Sequence, residues 1–121
     1  MQVFRGKVIK GKNRGKDLGF PTANMAVHQN IPEGIYLAKI KVGKTVCNGL
    51  TFVGRAITFN ERKLQAESYL LDFRGNLYGK FVTVQLLKKI RDNKKFNSSE
   101  ELIAQMNDDV AVARKFFAEW C

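Results

Sequence analysis

Between Gly34 and Val42 (GIYLAKIKV) the chain alternates, placing Tyr36, Ala38, Ile40 and Val42 on one face and Lys39 and Lys41 on the other. A period of two is the signature of a β-strand with one buried side. Gly43-Lys44 is a tight-turn signal, and Thr45–Phe52 follows as the partner strand. Residues 3–10 make an earlier strand, and Ala66–Phe73 (AESYLLDF) a later one closed by a turn at Arg74-Gly75-Asn76. Phe81–Ile90 alternates again, with Val82, Val84, Leu86 and Ile90 sharing a face.

After Phe96 the period changes. Asn97-Ser98-Ser99-Glu100-Glu101 opens a helix, with Ser98 and Glu101 spaced as a capping box. Leu102, Ile103, Met106, Val110, Ala113, Phe116, Phe117 and Trp120 then recur every three or four positions as an apolar stripe, which is core and carries no chemistry. Asn107-Asp108-Asp109 is a point where the helix could divide in two, with Asp108 or Asn107 capping the second half. Short strands followed by a terminal helix predict a mainly β fold, a small closed antiparallel barrel with the helix packed outside. An open sheet covered by that helix is the alternative.

Composition narrows the class. A chain of 121 residues, 45% hydrophobic and with nine Phe, can bury one modest core, so a single domain over 1–121 is expected and a disordered chain is not. No apolar run is long enough to span a bilayer, and the N-terminal MQVFRGKVIKGK has no secretory h-region. Two cysteines, Cys47 and Cys121, make no disulfide framework, and the expected setting is the reducing cytoplasm. The net charge of +10 favours an anionic partner. It gathers in two groups: Arg5, Lys7, Lys10, Lys12, Arg14 and Lys16, then Lys88, Lys89, Arg91, Lys94 and Lys95. A small basic barrel that binds nucleic acid would share these features.

The segment Gly11–Asn24 (GKNRGKDLGFPTAN) looks like a phosphate loop but is not a Walker A motif. Gly11 and Gly15-Lys16 enclose three residues where four are required, and Asp17 stands where Ser or Thr would hold magnesium. Its glycines still permit close approach of backbone N–H groups to an anion, and Lys16 can add a charge. Thr22 and Asn24 are spaced by two, so on extended backbone their oxygens point the same way and could ligate a hard cation that bridges phosphates. On spacing alone, Pro-Thr-Ala-Asn reads first as loop chemistry. Glu67 is an acid inside a strand-like run, sharing a face with Tyr69, Leu71 and Phe73, where a carboxylate can serve as a general base; a solvent-facing Glu is the commoner explanation. Asp72, on the opposite face, is a weaker alternative. His28 is the sole histidine, and no zinc-ligand spacing occurs.

Taken together, these residues resemble the riboflavin kinases, including the C-terminal domain of bacterial bifunctional FAD synthetases. The match runs through Gly6-Lys7-Val8, Gly11, LGFPTAN (Leu18–Asn24), Pro32 and Gly34-Ile35-Tyr36. It continues with Glu67-Ser68, LLDF (Leu70–Phe73), LYGK (Leu77–Lys80), Ile90-Arg91, Lys95-Phe96, Ser98, EEL (Glu100–Leu102) and Gln105. The resemblance implies a six-stranded Greek-key barrel with a C-terminal helix. It implies transfer of the ATP γ-phosphoryl group to the 5′-hydroxyl of riboflavin, giving FMN and ADP. By it, Thr22 and Asn24 would bind Mg2+ and the nucleotide phosphates, Gly11 and Lys16 would lie in the loop over the nucleotide, and Glu67 would be the base. Arg91, Lys95 and Phe96 would close over the flavin. The partners expected are riboflavin or FMN and ATP or ADP, with no membrane or nucleic acid and a monomer favoured.

Two stretches depart from the family pattern. Ala56-Ile57-Thr58-Phe59 stands where a Pro-Thr-Phe run is usual, and Asp92-Asn93 replaces the familiar acid-containing pattern after the Arg. No HxGH-type nucleotidyltransferase signature occurs, so this chain is not expected to make FAD.

Overall fold

A computed structural model describes residues 2–9, 22–58, 61–73, 75, 77 and 79–120, with the side chains of 56–58, 61–63 and 120 left aside. Six strands, β1 (Gln2–Lys7), β2 (Thr22–Ala26), β3 (Gly34–Val42), β4 (Thr45–Thr58), β5 (Glu61–Leu70) and β6 (Phe81–Arg91), precede one helix, α1 (Ser99–Trp120). The strands form one antiparallel sheet in the order β1-β6-β3-β4-β5-β2. The sheet curls so that its two edges meet: Ile9, just beyond β1, makes an isolated bridge to Asn24 of β2, its N–H donating to the Asn24 carbonyl at 2.7 Å.

The alternation read from the sequence separates two apolar layers. Tyr36, Ala38, Ile40 and Val42 of β3 face the inside of the curl with Phe4, Met25, Val53, Ala66, Leu70, Val82, Val84 and Leu86. The opposite face is buried too, under the helix. Ile35, Leu37, Leu50, Phe52, Tyr69 and Leu71 meet Met106, Ala113 and Phe117 there. Thus Ala66, Ser68 and Leu70 point inward while Glu67 and Tyr69 point towards the helix side. Inside, the buried hydroxyls of Thr51 and Ser68 satisfy each other at 2.7 Å across paired strands.

Several boundaries differ from the sequence reading. The strand predicted over Ala66–Phe73 lies at Glu61–Leu70, and the chain turns at Leu71-Asp72, where Asp72 takes φ 61°. Asp tolerates that left-handed conformation better than most residues. The Asp72 carboxylate accepts from both terminal nitrogens of Arg114 at 3.2 Å, which fastens the corner to α1. Ile90 does not share the face of Leu86. Two register shifts between β3 and β6 end the strict alternation, and Leu87 and Ile90 pack with the helix cluster instead.

The helix is also undivided. Ser98 caps it, accepting from the Glu101 N–H at 3.2 Å, while the Glu101 carboxylate reaches back to the Asn97 N–H at 3.1 Å. Asn107-Asp108-Asp109 does not break it, because Asp109 lies on the buried stripe between Met106 and Ala113 and is neutralised by Arg91 at 2.7 Å.

Candidate functional site

A row of side chains crosses the helix-side face of the sheet. Register pairs Asn24 with Glu67, Glu67 with Phe52, Phe52 with Ile35, and Ile35 with Arg91. Directly paired residues in antiparallel strands put their Cβ atoms about 5 Å apart on the same face. Five residues scattered from position 24 to position 91 are thereby laid side by side. Asn24 is pinned from both edges, by β5 and by the Ile9 bridge that closes the curl. Gly34 lets the start of β3 come close to β6: a Cβ there would lie 2.9 Å from the Arg91 carbonyl, at a φ of +149°.

Glu67 is 8% exposed, so it is not the solvent-facing strand acid that the sequence first suggests. One carboxylate oxygen, Oε1, accepts from the Tyr69 hydroxyl at 3.1 Å, on the same side of the strand. The phenol ring packs at a 43° tilt against Phe52, with ring centroids 5.0 Å apart. A carboxylate held in this way is oriented, and one edge of it lies in a cleft.

Two clefts open along the row and share Phe52 and Asn93. One, of about 400 Å3, is lined by Asn24, Glu67, Arg55, Gln65, Glu33 and Lys95, among others. The other, of about 480 Å3, is lined by Ile35, Phe52, Arg91, Phe96 and Leu102, with the polar residues around Asn97 at its mouth. Both volumes suit small-molecule ligands. The first is lined mainly by charged and amide side chains, while the second sets the aromatic and aliphatic groups Ile35, Phe52, Phe96 and Leu102 beside Arg91, Asn93, Lys94 and the Asn97–Ser99 segment. The partition is tied down by Asn93, whose side-chain amide donates to the Val53 carbonyl at 3.1 Å; within the polar cleft, Glu33 accepts from the Arg55 N–H at 3.0 Å.

Of the residues singled out from the sequence, Asn24, Glu67 and Lys95 come together in the polar cleft, and Arg91 and Phe96 in the aromatic one. Thr22 lies two residues along β2 from Asn24, opposite Tyr69, on the same face and half-buried. Gly11 and Lys16 fall outside the described residues. Sequence reasoning gave Asn93 only as a departure from the family pattern and Asp109 only as part of a point where the helix could divide. Asp109 had a readable signal, an acid falling on the apolar stripe of a helix, since a buried carboxylate needs a cation.

Among the described residues, two of the five cations of the second basic group are paired with carboxylates within the chain. Arg91 is engaged by Asp109, and Lys89 contacts Asp92 at 2.6 Å. The Asp92 carboxyl is held below its ordinary pKa by the Lys89 hydrogen bond, and Lys89 is raised in turn. Lys94 sits over the Phe96 ring at 5.8 Å. The phenol of Tyr36 donates to the Pro32 carbonyl at 2.5 Å, and its burial pushes its pKa up.

Among the described residues no three His, Cys, Asp or Glu side chains cluster as a metal site. The hydroxyl of Thr22 and the amide of Asn24 are hard oxygen donors on one face of one strand, and they fit a cation whose remaining ligands are phosphate oxygens and water. No helix among the described residues is long and apolar enough to cross a membrane.

The six-stranded curled sheet with its terminal helix thus carries a buried carboxylate, Glu67, in the wall of the polar cleft, next to the Phe52 that both clefts share. The comparisons with known proteins give the family. The family description "Flavokinase: Riboflavin kinase" matches residues 2–117, and the chain belongs to that family. It is similar to the bifunctional riboflavin kinase/FMN adenylyltransferase of Listeria monocytogenes, at 39% identity over 95% of this chain and 38% of that protein. It is likewise similar to the protein of the same description from Haemophilus influenzae, at 36% identity over 93% of this chain and 37% of that one. The chain therefore spans less than two fifths of these relatives' length. A solved structure described as a macrolide-efflux protein from Streptococcus pneumoniae superposes with a TM-score of 0.82 at 32% identity, over 93% of this chain and 38% of that one.

Proposed function

We propose that this chain transfers the γ-phosphoryl group of ATP to the 5′-hydroxyl of riboflavin, giving FMN and ADP. The observation that carries the reading is the place of Glu67, buried in the row between Asn24 and Phe52 where the polar and aromatic clefts adjoin. A base there can meet an acceptor whose ring lies on the aromatic side and whose hydroxyl chain reaches the polar side.

In this mechanism Glu67 takes the proton of the ribityl hydroxyl as that oxygen bonds to the γ-phosphorus. The bond between the γ-phosphorus and its bridging oxygen breaks, ADP leaves with the electron pair, and the proton passes from Glu67 to solvent. Thr22 and Asn24 would hold Mg2+, which when bound neutralises charge on the phosphates. Gly11 and Lys16 would cover the nucleotide. Arg91 and Phe96 line the flavin side, with Lys95 reaching into the polar cleft beside Glu67. Catalysis of this kind rests on positioning and charge neutralisation. The reading places the chain in the cytoplasm, where ATP is abundant.

The test is incubation with riboflavin and Mg-ATP, followed by chromatography of the flavin products. FMN formation is expected. Riboflavin binding without turnover would instead indicate a flavin-binding module that has lost catalysis. Absence of both, with strongly salt-dependent oligonucleotide binding, would indicate a nucleic-acid-binding barrel.

A further inference from the structure

We propose that Asp109, on the helix and outside both clefts, is a positioning residue that sets the affinity for the flavin by fixing Arg91; this rests on the kinase reading above. Asp109 is 2% exposed and receives two parallel hydrogen bonds from Arg91, Nε to Oδ1 at 2.8 Å and Nη2 to Oδ2 at 2.7 Å. This fork-to-fork arrangement fixes the plane of the guanidinium as well as its position. Gln105, one turn earlier, donates to Asp109 Oδ1 at 3.2 Å and so orients the carboxylate itself. Arg91 in turn donates to the Asp92 carbonyl at 3.1 Å and lies over the Phe52 ring, its central carbon 5.6 Å from the centroid.

The consequence is a chain of contacts from helix to cleft: Gln105, Asp109, Arg91, Phe52. Arg91 is the last residue of β6, and the segment Asp92–Asn97 that follows carries Asn93, Lys94 and Phe96 into the cleft walls. Holding Arg91 therefore sets one wall directly and fixes the point from which that segment departs. An arginine at this position without Asp109 would be free to turn towards solvent, as long cationic side chains do. The carboxylate does not touch either cleft, so its effect on substrate passes through Arg91.

Asp109→Asn keeps the shape and the capacity to accept from Gln105 but removes the charge and half of the fork. Riboflavin affinity, read from quenching of flavin fluorescence, is expected to weaken ~10-fold, the scale of one strong charge-assisted contact. Mg-ADP affinity by calorimetry should stay within ~2-fold. Arg91→Lys should weaken riboflavin to a similar degree, and the double variant should be no worse than the poorer single one, because both changes break one unit. Gln105→Leu leaves the ion pair intact and should weaken riboflavin only ~2–3-fold, so it carries the test if Asp109→Asn does not fold. A folded Asp109→Asn protein with lower thermal stability but unaltered riboflavin affinity would overturn the positioning role. Equal losses for riboflavin and Mg-ADP would overturn it too. A wild-type chain that binds no riboflavin would instead defeat the kinase reading on which the proposal stands.

Discussion

The two clefts that meet at Phe52 and Asn93 share β4 but differ in the elements that complete them. The polar cleft is lined mostly by strand residues, with Asn24, Gln65 and Glu67 set by hydrogen-bonded register and Glu33, Asn93 and Lys95 added from the connecting segments. The aromatic cleft is made by docking, since Phe96 and Leu102 reach it only because the helix packs on Ile35, Phe52 and Tyr69. One site is thus set mainly by backbone pairing and the other mainly by side-chain packing. Under the proposed kinase reading, the difference gives a division of labour, with register-set groups for the phosphate chemistry and a wall set by helix packing for the ring.

Variants can break this contrast. Glu67→Gln is expected to have the largest effect: turnover should fall ~10²–10⁴-fold, the range for losing a general base, with both substrate affinities largely kept. Near-normal turnover in steady-state assays would remove Glu67 from that role. Met106→Ala attacks the other side. Met106 is 1% exposed at the centre of the helix-sheet contact, and truncation should cost ~2–5 kcal/mol in chemical denaturation. Because the helix roofs only the aromatic cleft, riboflavin KM should rise more than ATP KM, and the reverse order would erase the distinction.

Asn24→Ala should shift the magnesium titration of activity upward by ~10-fold, as loss of one metal-site contact does, leaving riboflavin affinity unaltered. An unchanged titration would count against ligation there. The smallest effect concerns a contact outside both clefts. The Asp72 carboxyl is held below its ordinary pKa mainly by its hydrogen bond from Arg114. A lowered folded pKa contributes stability that is present above the unfolded value, near pH 4, and is lost as pH falls through the folded value. Arg114→Gln should flatten that acid limb by less than ~1 kcal/mol, since both groups are largely exposed, and leave the kinetic constants as they are. A change in KM would show that this corner does reach the site.

The inner layer of the fold was legible because strands with one face in a core alternate strictly, and β3 was read to the residue at Gly34–Val42. The second layer was harder. Its residues, Ile35, Leu37, Leu50 and Phe52, occupy the positions that alternation assigns to solvent, and only the helix stripe implied that something must cover it. β2 was read as an extended segment but not as a strand, because Pro-Thr-Ala-Asn is equally good turn sequence and its pairing with β5 spans some forty residues. The bulges that turn Leu87 and Ile90 outward have no local signature. For the site, Glu67 and Asn24 could be named from residue chemistry and resemblance, but their pairing is a matter of register. Asp92-Asn93 stood out as a departure from the family pattern, yet Asn93 is the residue that anchors the partition between the clefts. Composition could not show that.

The division of labour between the clefts is tested most directly by binding each ligand separately to the isotopically labelled chain. With Mn2+-ADP, paramagnetic broadening should centre on the amides of Asn24, Gln65 and Glu67. With riboflavin, the largest shifts should fall on Ile35, Phe96 and Leu102. Broadening centred on the helix-roofed cleft, or both ligands perturbing the same set of amides, would contradict the account.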